Sequence, residues 1–591
     1  MREYATPMAV RPSASGSLTD DVVANAVAHP DQPVLARRTG SGWSHLSAAE
    51  FLAEVSGVAK GLIASGVQAG DRVALLSRTR YEWTLFDYAV WFAGAVSVPI
   101  YETSSADQVD WLLDDCGAAV AVVETTEHVA RVAKTGRELR HVWCLDDGAV
   151  AALVSAGTAV ADEELESRRS GLSPSSLATI IYTSGTTGPP RGCMLTHGNF
   201  MHELAAAVEE LDELFAGDEA ATLLFLPLAH VFARVIQVGA VRQRVLLGFC
   251  PDIRRLTDDL ESFRPTFLLG VPRVFEKLFN SASQNATADG RGRLFDRAAV
   301  TAIAYSRALE RGRPGRVLRT RHALYERLVY GRLRAALGGR CAYAVSGGAP
   351  LGERLGHFYR GIGVTVLEGY GLTETTAAVT VNVPGALKIG TVGRPLGGTT
   401  VRVAEDGELL VRGGQVQSGY WKGSGATEDP DDGWLRTGDL GEIDDEGFVR
   451  VTGRKKEILV TAGGKNVAPS GLEDVVRSHP LVSQCLVVGD GQPFIAALVT
   501  LDPDAVGPWA RGHGKSEDLP DLVDDADLRA EVQSVVDEAN RTVSQAESIR
   551  RFTVLPVDWT EKSGLLTPSL KLKRVMVLRQ FRREVDDLYE T

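Results

Sequence analysis

The amino-acid sequence predicts an α/β protein: a large N-terminal domain of layered sheets and helices in several subdomains, a small β-rich subdomain, and an α+β C-terminal domain. Three observations lead there. From Leu46 onward short apolar runs alternate with amphipathic helical patterns, after Gly390 the text becomes short strands and turns, and from about Lys456 a second alternation of helix and strand begins. Strands alternating with helices build layered sheets with mainly parallel pairing.

Residues 47–66, SAAEFLAEVSGVAKGLIASG, space their apolar side chains for a helix, and DRVALLS at 71–77 reads as a buried strand. Residues 81–101 predict a helix running into a strand, while AAVAVVE at 118–124 and LATIIYT at 177–183 add two strands. Between 281 and 340 the chain is helical and basic, with thirteen Arg against three acidic residues from Arg291 to Arg340. The simple reading is a solvated helical face; the sharper one is a patch for anionic lipid or for the phosphates of coenzyme A. The C-terminal unit predicts a helix at 470–478, strands at 484–488 and 494–501, and a long helix near 525–541. The expected division is a loosely held polar arm at 1–20, a large domain at 21–454 and a small domain at 455–591.

At 591 residues, 44% hydrophobic and 24% charged, the chain has the composition of a globular enzyme with more than one domain. A net charge of -13 gives no electrostatic reason to expect nucleic acid. Six cysteines lie far apart without a C-x-x-C pair, which fits reduced thiols and a cytoplasmic protein. The N-terminus lacks the apolar core of a signal peptide, and the most apolar stretch, Tyr88 to Tyr101, is too short to span a bilayer, so any membrane contact, as at the inner face of the membrane, is peripheral.

The strongest local signal is YTSGTTGPPRG at 182–192, a run of hydroxyls and glycines directly after an apolar strand. Such a loop can set backbone N–H groups and the hydroxyls of Thr183, Ser184, Thr186 and Thr187 against phosphate oxygens, with Gly185 and Gly188 permitting close approach and Arg191 as the cation. The spacing is not that of the Walker loop. SGGAP follows at 346–350, LEGYGLTET at 367–375, GWLRTGDLG at 433–441, GRKKE at 453–457 and LTPSLKLKR at 566–574.

In this order, over most of the chain, these motifs resemble those of the adenylate-forming superfamily of acyl-CoA synthetases, luciferases and peptide-synthetase adenylation domains. The resemblance implies ATP, Mg²⁺ and coenzyme A as cofactor and co-substrates. Gly348, Ala349 and Pro350 would line the adenine; in the segment of Glu368, Gly369, Tyr370 and Gly371, Tyr370 would stack on it. Thr373 would meet the phosphate, Glu374 hold the magnesium, and Asp439 and Arg454 bind the ribose. Lys571 would be the lysine that meets the carboxylate and the α-phosphate, with Lys573 as the fallback. Lys456 falls where the mobile C-terminal domain pivots in relatives, and Gly463 and Gly464 would face the pantetheine channel. An aromatic face suits a purine, a carboxylate accepts from a vicinal diol, and an ammonium neutralises charge on attacking carboxylate and phosphorus.

The implied reaction is activation of a carboxylic acid to an acyl adenylate with release of pyrophosphate, then transfer to coenzyme A. The stretches at 81–105, LPLAHVFARVIQ at 226–237 and VPRVFEK at 271–277 look most like the bacterial long-chain fatty acid–CoA ligase group, in which His230 would flank the acyl adenylate. Two departures stand out: Pro190-Arg191-Gly192 replaces the usual Pro-Lys-Gly, and Gly453 stands where many long-chain relatives carry Asp. An adenylating ligase for another acid, or one loading a separate acyl carrier protein, is the rival reading, distinguished by its acceptor. A catalytically dead relative is disfavoured because Glu374, Asp439, Arg454 and Lys571 are all present.

Overall fold

The computed structural model describes every residue except 41, 137, 184–189, 216, 218, 424–432, 568–569 and 591. Three sheets form the bulk of the N-terminal part. The largest has six strands in the order His141–Cys144, Val120–Val123, Arg72–Leu76, Val96–Ile100, Leu177–Thr183 and Arg191–Thr196, parallel except for the last pair. A second, five-stranded, begins with Phe267–Gly270, Tyr343–Ser346 and Thr365–Tyr370 in parallel and ends in two short antiparallel strands. A third joins Ala221–Leu224, Leu246–Phe249, Pro33–Thr39 and Gly42–Ser47.

The helices lie where the apolar spacing sets them. Ala48–Ala64 starts at Ser47, whose hydroxyl accepts the Glu50 N–H while Glu50 bonds back, and buries Phe51, Val55, Val58, Ala59 and Leu62 along one face. It packs backbone to backbone on the helix Ala149–Gly157: a Cβ on Gly61 would stand 2.2 Å from the Leu153 carbonyl oxygen, so only glycine fits. Tyr81–Phe92 shows no amphipathic stripe because it is buried on all sides. Its Asp87 pairs with Arg234 of the helix Val231–Gln243 at 2.6 Å, and both side chains are fully buried. Arg234 also donates to Thr179 at 2.5 Å and Ser97 at 2.9 Å, and Gln237 donates to Asp87 at 2.9 Å. This network ties two helices to two strands of the six-stranded sheet.

After residue 399 the chain forms an antiparallel sheet of Thr400–Val403, Glu408–Arg412, Leu435–Ile443 and Val449–Arg454. Its edge corrects the expectation of a loose N-terminal arm. Glu3–Ala5 pairs antiparallel with Thr400–Val403, the terminal ammonium donates to the Ile443 carbonyl at 2.8 Å, and Glu3 pairs with Arg402 at 2.5 Å. An exposed sheet edge offers unpaired N–H and C=O groups, and this polar segment supplies their partners.

Beyond Lys455 a separate core forms from Pro469–Arg477, Val482–Val488, Ile495–Leu501, Ala526–Asn540 and Ile549–Val554. Among the described residues no hydrophobic cluster joins it to the N-terminal part; the bonds across are polar, such as Arg354 to the Ser478 carbonyl at 2.8 Å, Arg273 to Ser483 at 3.2 Å and Thr103 to Glu561 at 2.5 Å. Polar contacts of this kind leave two units free to reorient. All six cysteines are buried free thiols, and no described helix is long and apolar enough to cross a membrane.

Candidate active site

The ends of the parallel strands open onto one cavity of about 2270 Å³, as expected where open α/β sheets present their carboxyl ends. The hairpin of Leu177–Thr183 and Arg191–Thr196 sets Thr183 opposite Arg191, and both line the cavity. Ser184, Gly185, Thr186, Thr187 and Gly188 lie outside the described residues. The Arg191 guanidinium stands 5.6 Å from the centroid of the Tyr420 ring, a cation–π arrangement that holds the charge at the cavity wall.

Ser346 and Glu368 face each other across the parallel pair, so the turns after them leave the sheet side by side. Gly348, with φ of 86°, lines the cavity, as do Gly369, Tyr370, Gly371 and Thr373. Gly371 admits no side chain, because a Cβ there would lie 1.5 Å from the Ala377 carbonyl oxygen. Three residues predicted for the nucleotide are not at the cavity wall. Ala349 and Pro350 are exposed on the outer side of the turn, Pro350 bordering a separate void of about 30 Å³. Glu368 is buried and accepts the Leu351 N–H at 2.8 Å, so it braces the turn; burial pushes its carboxyl up to about 7.

Asp439 and Arg454 are direct partners in the antiparallel pair of Leu435–Ile443 and Val449–Arg454, with Nε 3.1 Å from Oδ1. Asp439 also accepts the Tyr370 hydroxyl at 2.7 Å, linking the aromatic face to the carboxylate. Glu374 accepts the Tyr420 hydroxyl at 2.9 Å and lines the cavity. Among the described residues no three His, Cys, Asp or Glu gather into a metal cage. A single carboxylate such as Glu374 is a donor set that fits Mg²⁺, which completes its shell with substrate phosphates and water.

Lys571 reaches this cavity from the C-terminal unit, its Cε 3.9 Å from where a Cβ on Gly348 would sit. A tight turn aims it: Lys571 N–H donates to Thr567 Oγ1 at 3.0 Å, Thr567 N–H to the Lys571 carbonyl at 2.8 Å, and Leu570 takes a left-handed φ of 61°. Burial and the nearby Arg454 hold its ammonium below the usual lysine range, against the opposing pull of Asp439 and Glu374. His230 caps the helix Val231–Gln243 by accepting the Phe232 N–H at Nδ1, 3.2 Å, and lines the same wall. Burial, then the Lys571 charge, push its pKa down to about 3, so it is neutral at physiological pH. Lys456 lines the cavity at the start of the C-terminal unit. Gly463 and Gly464 do not: they form the exposed turn between Leu459–Val460 and Asn466–Val467.

Part of the cavity lining is apolar, with Leu204, Val208, Leu211, Val235, Ile236 and Phe267 among its residues. Its exception is Glu203, 1% exposed, which accepts the Ala378 N–H at 3.1 Å. Ala378 follows two non-glycine residues at positive φ, Thr376 at 52° and Ala377 at 88°, so this bond pins the turn between Glu374 and the apolar wall. Burial raises the Glu203 carboxyl well above its ordinary range, and among the described residues no cation relieves it. The folded state therefore binds a proton that the unfolded chain releases above roughly pH 4.3, and stability falls as pH rises from there. Glu203→Gln keeps the acceptor and removes that proton; its melting temperature should gain on the native protein between about pH 5 and about pH 8. A constant difference over that interval would show that Glu203 is ionised in the fold.

Glu203, Tyr420 and the Arg234–Asp87 pair were not singled out by sequence reasoning. For Asp87 a signal existed, a carboxylate inside an otherwise apolar helical run, which demands a buried partner. For Tyr420, in the run SGYW, nothing marked the residue before its neighbours were placed.

The family model of the AMP-binding enzymes matches residues 22–421, and that of the AMP-binding enzyme C-terminal domain matches residues 456–591. The long-chain-fatty-acid–CoA ligase FadD15 of Mycobacterium tuberculosis is 49% identical over 602 residues, covering 100% of both chains. The peroxisomal long chain acyl-CoA synthetase 7 of Arabidopsis thaliana is 31% identical over 97% of this chain and 86% of its own. Among solved structures, the A-PCP didomain of carboxylic acid reductase from Segniliparus rugosus in complex with AMP superimposes with a TM-score of 0.76 at 22% identity, covering 97% of this chain and 82% of that one. ATP-bound MatB from Rhodopseudomonas palustris gives 0.71 at 23% identity, over 98% and 100%. These last two carry the fold, and the sequence matches carry the kinship: the chain belongs to the AMP-binding enzymes.

Proposed function

We propose that this protein is a long-chain fatty acid–CoA ligase, which activates the acid with ATP and transfers the acyl group to coenzyme A. The observation that carries this reading is that one cavity is lined both by polar residues, Tyr370, Thr373, Glu374, Asp439 and Arg454 with Lys571 and His230, and by an apolar set that includes Leu204, Val208, Leu211, Val235, Ile236 and Phe267. The full-length likeness to FadD15, a long-chain-fatty-acid–CoA ligase, agrees with it.

In this reading the residue roles follow from position. Tyr370 offers its face to adenine, while Asp439, held by Tyr370 and Arg454, accepts from the ribose hydroxyls. Thr183, Thr373, Arg191 and the loop at 184–188 meet the phosphates. Glu374 would hold Mg²⁺, which when bound neutralises charge on those phosphates. The Lys571 ammonium draws the fatty carboxylate and the α-phosphate together and offsets the charge that builds as oxygen attacks phosphorus and pyrophosphate leaves. Neutral His230 packs beside the new acyl adenylate without adding a repelling cation. The thiol of coenzyme A then attacks the acyl carbon, and AMP leaves.

In this reading Lys571 serves the first step, and for the second the C-terminal unit turns about Lys456, near the boundary we place at 454–455. The polar contacts at the interface favour such a motion, and Gly463 and Gly464 gain a role in the pantetheine channel only after it.

Pyrophosphate release measured over straight-chain acids from acetate to arachidate and over aromatic acids tests the substrate class. Specificity constants should peak at long chains and fall for each two-carbon truncation, since a buried CH₂ contributes about 0.8 kcal/mol. A peak at acetate or at an aromatic acid would refute the long-chain assignment.

A further inference from the structure

The helical segment rich in arginine has an outer face that the reaction does not use. Arg316–Tyr325 runs through a π turn at Glu326–Tyr330 into Gly331–Ala336. Its inner side is fixed: His322 stacks on Tyr305 at 3.8 Å between centroids and bonds the Gly361 carbonyl at 2.6 Å, and the buried Tyr330 hydroxyl donates to the Ala298 carbonyl at 2.7 Å. The outer side presents Val317, Leu324 and Leu328, which are 69%, 56% and 44% exposed. Val317 and Leu324 are seven apart and Leu324 and Leu328 four apart, so they form one stripe.

Arginines flank that stripe. Arg316, Arg321 and Arg332 are exposed and form no ion pair among the described residues; Glu326, the acidic residue of this stretch, is taken up by Arg334. Thirteen Arg and three acidic residues give 291–340 a charge of +10 in a chain of net -13, so the remaining residues carry -23. On a protein this acidic these arginines make an unneutralised cationic face among the described residues, and aliphatic tips stand within it.

We propose that this face docks the protein on an anionic lipid bilayer. Charge complementarity supplies the attraction: unpaired guanidinium groups meet phosphate headgroups, and the negative remainder of the molecule turns the basic face toward the membrane. The aliphatic stripe selects a bilayer over other polyanions, because Val317, Leu324 and Leu328 gain only where apolar surface lies beneath the phosphates. A duplex nucleic acid would satisfy the arginines and leave the stripe in water. The docking rests on this surface alone and does not depend on which acid the cavity accepts.

The test is co-sedimentation of the full chain with vesicles of phosphatidylcholine alone or mixed with phosphatidylglycerol. Binding should require the anionic lipid and fall steeply as salt is raised from about 0.05 M to about 0.5 M. Replacing Arg316, Arg321 and Arg332 together with Glu should lower the partition coefficient by roughly 100-fold or more, at about fivefold per lost cation. Replacing Val317, Leu324 and Leu328 together with Ser should lower it by at least about tenfold while leaving binding to duplex DNA unchanged. Both variants should keep the native melting temperature and pyrophosphate release with a water-soluble acid. Absence of vesicle binding by the native protein, binding insensitive to salt, or native-like vesicle binding by either variant overturns the proposal. Tighter binding to DNA than to anionic vesicles overturns it also, and assigns the face to a nucleic acid.

Discussion

Lys571→Ala should reduce acid-dependent pyrophosphate release by at least about 100-fold, with ATP affinity nearly unchanged. The size follows from the role proposed for Lys571, a charge that meets the place where negative charge develops; removing one such group from other enzymes costs about 10²–10³ in kcat. In the proposed reading ATP is held elsewhere, by Tyr370, Asp439, Arg454 and the phosphate loop, so the deficit should fall on kcat rather than on the nucleotide KM. Lys573→Ala serves as the comparison. Lys573 is part of the cavity lining, yet it follows the turn that aims Lys571, and its loss should cost less than about fivefold. The pH profile gives a second check. A lysine held below its usual range loses its proton as pH rises through that lowered value, so the rate should decline on the alkaline side earlier than the ordinary lysine value of about 10.4 allows. Equal activities of the two Ala variants would remove Lys571 from the catalytic position.

Asp87→Ala should destabilise the N-terminal part by about 3–5 kcal/mol, the usual consequence of leaving one buried charge without its partner. Arg234 has no solvent to turn to: it is 0% exposed and boxed by Trp83, Trp91 and Phe200, whose ring centroids lie 5.4, 5.6 and 5.9 Å from its guanidinium carbon. Its bonds to Thr179 and Ser97 persist after the substitution, and the uncompensated charge remains. The double change Asp87→Leu with Arg234→Met removes both charges and should recover most of the loss. Urea unfolding, followed through the tryptophans of the N-terminal part, measures it. A double variant as unstable as Asp87→Ala would place the cost in lost packing rather than in the stranded charge.

The fold was legible where one element repeats one pattern. The helix Ala48–Ala64 and the strand Arg72–Leu76 could be drawn from periodicity, because a half-buried helix and a buried strand each impose their spacing locally. The first five residues could not: Glu3–Ala5 is a strand only because Thr400–Val403 offers it an edge, some four hundred positions away, and nothing within the polar segment encodes that partner. The site divides in the same way. Tyr370, Glu374, Asp439, Arg454 and Lys571 sit in the motifs by which the sequence resembles the adenylate-forming superfamily, so their convergence was expected and they do line one cavity. Ala349 and Pro350 miss the cavity because the turn at 347–351 projects only Gly347 and Gly348 inward, and Glu368, in the same run as Tyr370 and Glu374, is turned away to accept the Leu351 N–H; which way a turn or a strand side faces depends on backbone geometry rather than on residue type. Glu203 was invisible because a carboxylate on a helix ordinarily reads as solvent-facing; its burial is decided by Ala378, which lies in another sheet's connection.

The most direct test of the account is product analysis with purified protein, ATP, Mg²⁺ and a saturated long-chain acid, with coenzyme A, with a phosphopantetheinyl carrier protein, or with neither. The account predicts pyrophosphate, AMP and acyl-CoA in equal amounts when coenzyme A is present, and enzyme-held acyl adenylate without turnover when no thiol is added. Turnover with the carrier protein but not with coenzyme A, or no pyrophosphate under any condition, would contradict it.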